Sequence, residues 1–73
     1  MNCRQLIQQR LSELMVRWNF NAQNRAIHRR RLRQSPSGVS QDIVLVAESD
    51  LRDLAPKILR CRMALGQDAA HER

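Results

Sequence analysis

Apolar residues near the start of the chain fall at Leu6, Ile7, Leu11, Leu14, Met15 and Trp18. Steps of three and four place them on one stripe of a helix, so the pattern predicts a helix from Asn2 to Trp18. Asn2 can cap it, because its side-chain oxygen can accept from the open amides of the first turn. Gln5, Gln8, Gln9, Arg10, Glu13 and Arg17 cover the opposite side with good helix formers. Asn19-Phe20-Asn21 then reads as a break, since asparagine favours turns. A helix carried on to Arg33 would be ~45 Å long, too long for one compact domain of this size. A second helix, capped by Asn21, is expected over 21–33. Its apolar positions are Ala22, Ala26, Ile27 and Leu32, a poor stripe that needs a neighbour to hold it.

Gln34-Ser35-Pro36-Ser37-Gly38 interrupts the periodicity and contains a linker at 35–38. Beyond it, Ile43-Val44-Leu45-Val46-Ala47 is a short unbroken apolar run that suits a buried strand. Ile43, Ala47, Leu51 and Leu54 also step at helical intervals, and Ser40 can cap a helix. Helix is the preferred reading, with a short strand near 42–47 as the alternative. Pro56 marks either the first turn of a further helix or a kink. Ile58, Leu59, Cys61, Met63 and Leu65 carry the pattern to Gly66, placed as a stop, with 67–73 as a frayed tail.

The expected fold is mainly α, with three or four short helices in a single small domain over 1–73. It divides into a basic helical part at 1–34, the linker, a near-neutral part at 39–66 and the tail. Ile7, Leu11, Leu14 and Trp18 have the 4-3-4 spacing of a coiled-coil seam. They serve either as an intramolecular wall or as a self-association interface. A chain of 73 residues with 42% apolar content has little core of its own, which points to a homodimer.

Charge changes the picture more than composition does. The net charge is +6, and of thirteen bases only Lys57 is lysine. Residues 1–37 hold eight arginines against Glu13, whereas residues 38–73 hold five bases against six acids. Guanidinium matches phosphate or carboxylate with paired hydrogen bonds, so such segregation points to a polyanionic or acidic partner. Arg25, His28, Arg29, Arg30, Arg31 and Arg33 form a cluster free of acids. On a helix Arg25, Arg29 and Arg33 fall along one edge with Arg30 beside it, a row that can meet successive phosphates of DNA or RNA. The competing readings are a solvated face, or pairing with Asp42, Glu48, Asp50 or Asp53 of the second half. Asn21, Gln23 and Asn24 suit adenine edges and equally suit turns and caps. Trp18 and Phe20, the two aromatics, are expected in the core rather than as stacking platforms.

Catalysis finds little support. Two glycines make no phosphate loop, and no nucleophile–base grouping stands out. Asp50 and Asp53 read as early-helix acids rather than a catalytic pair. Cys3, Cys61, His28 and His71 have no zinc spacing, so no metal or cofactor is implied. No apolar run reaches the ~18–20 residues that cross a bilayer, and no signal-like segment opens the chain, so a cytoplasmic place is expected. The functional expectation is a small non-enzymatic nucleic-acid-binding protein of regulator type. The alternative is an adaptor or inhibitor, as phages and mobile elements encode, docking its basic face on an acidic protein surface.

Overall fold

The computed structural model describes residues 2–71, with side chains placed through Gly66. Helix α1 runs Cys3–Gln34 and helix α2 runs Gly38–His71, and the two pack along each other. The connection is so short that they can only lie antiparallel, as a hairpin. The described part measures 53 × 23 × 15 Å, and its radius of gyration is 16.4 Å. A globule of this chain length would have a radius near ~11 Å. The molecule is a rod.

Asn2 starts α1 as the sequence predicts. Its Oδ1 accepts from the Gln5 amide at 2.8 Å, and Gln5 Oε1 accepts from the Asn2 amide at 3.3 Å. This reciprocal pair satisfies two orphan amides of the first turn. At the turn, Ser37 rather than Ser40 caps α2, because Ser37 Oγ accepts from the Ser40 amide at 3.3 Å. Gln41 N donates to the Ser37 carbonyl at 3.0 Å.

Two long helices replace the three or four short ones. The expected break at Asn19-Phe20-Asn21 is absent, and α1 is continuous through it. Asparagine and phenylalanine each cost ~0.7 kcal/mol or less in a helix relative to alanine. A break there would open up to four amides and four carbonyls and interrupt the packed stripe. Asn21 also loses its reason to turn the chain, since its Nδ2 donates to the Arg17 carbonyl at 2.9 Å. The length objection fails because the chain does not build a compact domain.

The 42–47 run is helix, not strand. Val44 and Ala47 are buried while Leu45 and Val46 are exposed, the alternation of a helix against a single partner. Pro56 lies inside α2. Both Pro56 and Arg52, whose carbonyl loses its amide donor to the ring, are exposed, so water can serve that carbonyl. Gly66 does not stop the helix, which continues to His71. No described glycine takes a positive φ, the conformation a glycine stop uses. Of the 67–73 tail, residues 72 and 73 lie outside the described residues.

Covered positions repeat at alternating steps of four and three from Ile7 to Leu32 on α1, and from Ser40 to Leu65 on α2. This is the heptad repeat of a two-stranded antiparallel coiled coil. Its chemistry is uneven. Toward the open end, Leu14, Leu54 and Ile58 form the buried cluster, with Leu11, Met15, Trp18 and Cys61 packed on it. Arg62 Nη2 reaches Met15 Sδ at 3.7 Å across the same level. Toward the turn the α1 seam becomes Asn21, Arg25 and His28, facing an α2 seam that includes Ser40, Val44 and Ala47. Leu11, Leu14 and Trp18 therefore serve the intramolecular seam, one of the two uses their spacing allowed. Phe20 is not in the core as expected; it is 65% exposed.

Candidate nucleic-acid interface

The arginine cluster occupies the last three turns of α1, beside the turn of the hairpin. The helical course of 21–33 decides its geometry. At ~100° per residue, Arg25, Arg29 and Arg33 descend one side of α1, and Arg30 lies close to them. These four side chains line one open groove, about 440 Å³ in volume, floored by Ala22 and Ala26. The small alanine side chains leave the backbone low between the guanidinium groups, so a ligand can approach closely. Arg31 points to the other side of the helix and is not part of this groove. Arg31 and Arg33 also stand in the last turn, where the helix dipole favours positive charge.

Helix α2 takes up part of the cluster. Glu48 Oε1 accepts from Arg29 Nη2 at 2.9 Å and lies 3.8 Å from Arg25 Nε. One carboxylate thus ties two arginines to the neighbouring helix and helps set the register of the pair. The arginines are 42% and 50% exposed, so water screens the pair and its net worth is ~1 kcal/mol or less. The pairing reading holds for Glu48 among the four acids named for it. Asp42, Asp50 and Asp53 face elsewhere and make no ion pair among the described residues. Arg30 and Arg33 are exposed and likewise make none.

His28 is not part of the open face. It is half-buried in the seam, with Nδ1 3.1 Å from Ser40 Oγ. Ser40 is 5% exposed, and this contact satisfies both polar groups inside the helix pair. Asn21 is also withdrawn, as its amide is held by the Arg17 carbonyl. Gln23 is exposed on α1, and Asn24 lines a second groove with Phe20, Ile43 and Val46 on the opposite flank.

Sequence reasoning did not find that second groove. Its signal was present in Phe20 and Ile27, seven residues apart, matched by Val39 and Val46 on α2. Cys3 is exposed and Cys61 half-buried, both free thiols. Among the described residues, no three of His, Cys, Asp and Glu gather as a metal site. The side chain of His71 lies outside them. No described helix is long and apolar enough to cross a membrane.

The chain matches no family model, and a comparison with curated proteins and with solved structures finds no match either.

Proposed function

We propose that this chain is a non-enzymatic binding hairpin that holds nucleic acid along the arginine groove of α1. One observation carries the reading: Arg25, Arg29, Arg30 and Arg33 line a single groove over two alanines, with no acid in its lining. Steps of four residues separate Arg25, Arg29 and Arg33 by ~6 Å along the axis. Three well-spaced guanidinium groups, each able to offer two parallel hydrogen bonds, suit the phosphates of a polynucleotide strand. Counterion release supplies the driving force. Glu48 acts as an internal competitor, holding Arg25 and Arg29 until phosphates displace it.

The reading assigns backbone contacts and no base reading. With Asn21 turned into the helix pair, the remaining amides near the groove do not form a base-edge reader, so sequence preference should be weak.

Fluorescence anisotropy with duplex DNA and structured RNA, at two salt concentrations, tests it. If four phosphates are neutralised, affinity should fall roughly 100-fold between 50 and 200 mM salt. Alanine at Arg29, Arg30 and Arg33 together should flatten the salt dependence by about three units, with helicity retained. No binding by micromolar protein at the lower salt would overturn the proposal.

A further inference from the structure

The flank opposite the arginine groove carries most of the exposed apolar surface near the turn. Phe20, Ile43 and Val46 line one groove together with Asn24, Asp42 and Asp50. Val16 and Arg17 extend it along α1, with Asp50 again in the lining. One heptad toward the turn from Phe20 and from Val46 stand Ile27 and Val39, on the same flank by helical phase. Phe20 and Val46 are 65% and 61% exposed, and Ile27 and Val39 are also open. Contiguous apolar surface of this kind marks an interaction site.

Charge on this flank is divided between the two helices. On α1 its border is basic, with Arg17 and Arg31 fourteen residues apart in the same phase. On α2 its border is acidic, with Asp42, Asp50 and Asp53. None of these five makes an ion pair among the described residues. Farther toward the open end α1 carries Arg10, in the phase of Arg17, together with Glu13, and α2 carries Lys57 and Arg60.

We propose that the occupant of this face is a second copy of the chain, forming a four-helix bundle. A two-fold axis parallel to the rod lays α1 of one copy over α2 of the other, with both turns at the same end. Heights along the rod are then preserved, and Arg17 and Asp50 share a height because they line one groove. Arg17 of each copy therefore meets Asp50 of the other, and Phe20 meets the Ile43–Val46 surface. The opposite arrangement, with the turns at opposite ends, sets α1 on α1 and brings the basic borders together. The cross-copy contact of Arg17 with Asp50, which the second arrangement lacks, selects the first.

Area is sufficient. The rod is 53 Å long and 23 Å across, an outline large enough to hold the ~800 Å² per partner of a standard interface. The contact also supplies apolar cover where the seam is poorest, around Asn21, Arg25 and His28. It is isologous and leaves both arginine grooves facing outward, so it stands independently of the nucleic-acid reading.

Sedimentation equilibrium and light scattering on the full chain test the inference. The expected mass is twice the 8.5 kDa of one chain. Phe20→Asp with Val46→Asp should weaken association at least tenfold, and both positions are exposed within the hairpin. Should that variant lose helicity, single charge reversals give an independent reading. Arg17→Glu and Asp50→Arg should each self-associate at least tenfold more weakly. Mixed in equal amounts, the two variants should recover a heterodimer, because both cross-copy contacts regain opposite signs. A change confined to one chain could not be repaired by mixing. A helical monomer at tens of micromolar would overturn the proposal. So would a dimer indifferent to both the apolar and the charge substitutions.

Discussion

Replacing Asn21 with leucine should make the hairpin more stable while making its associations less selective. Asn21 is 8% exposed in the seam, and among the described residues its side chain makes one hydrogen bond, from Nδ2 to the Arg17 carbonyl. That carbonyl stays inside helical backbone, where the Asn21 amide serves it, so removing the side chain orphans no buried acceptor. The loss is then one modest hydrogen bond, ~0.5–1.5 kcal/mol. The gain is the burial of a leucine side chain, ~1.5–3 kcal/mol, plus a few tenths from helix propensity. Ala47 and the open grooves on either side of Asn21 leave space for the larger branch. A net gain of about 1–2 kcal/mol corresponds to a rise in Tm of roughly 5–15 °C for a chain of this size. Thermal unfolding followed by circular dichroism at fixed protein concentration measures it. A polar seam residue restricts register and partner number at a cost in stability, so the leucine variant should also show higher-order species in light scattering. A fall in Tm of several degrees would refute the reasoning, by showing that the Asn21 amide supports packing the distances do not express.

Three further outcomes follow from the same geometry. Leu14, 2% exposed among Leu54 and Ile58, should cost about 2–5 kcal/mol on change to alanine in urea titration, whereas Val16→Ala on the open side should cost under ~0.5. Pro56→Ala should stabilise by about 1–3 kcal/mol, read as a higher Tm, because a helical amide is restored where no packing is lost. Glu48→Gln should lower stability by ~1 kcal/mol or less and strengthen DNA or RNA binding at low salt. It removes the carboxylate that Arg25 and Arg29 hold, so unchanged affinity would count against the arginine groove as the binding site.

Residue order alone determined the local features whose physics acts within a turn or two. Asn2 and Gln5 form their capping pair because both partners lie three residues apart. The Leu11, Leu14 and Trp18 stripe follows from helical period, and the Ser35-Pro36-Ser37 turn from proline chemistry. The edge shared by Arg25, Arg29 and Arg33 needed only that 21–33 be helical. Tertiary structure decided everything that depends on what lies across the seam. Asn21 stays helical because a continuous α1 faces a continuous α2, and a break would have interrupted both. Val44 and Ala47 turn inward as a helix because a single neighbouring helix offers one face to cover, where a strand would have needed another strand beside it. Glu48 was one of four plausible acids, and only the register of the hairpin set it against Arg29. His28 read as one more member of the arginine cluster, and only the buried Ser40 opposite withdrew it from the surface. Phe20 read as core because it is aromatic, yet the seam phase set by Leu14 and Trp18 turns it outward. A stripe specifies that a helix will bury one side, and the partner it meets specifies which polar residues that burial can tolerate.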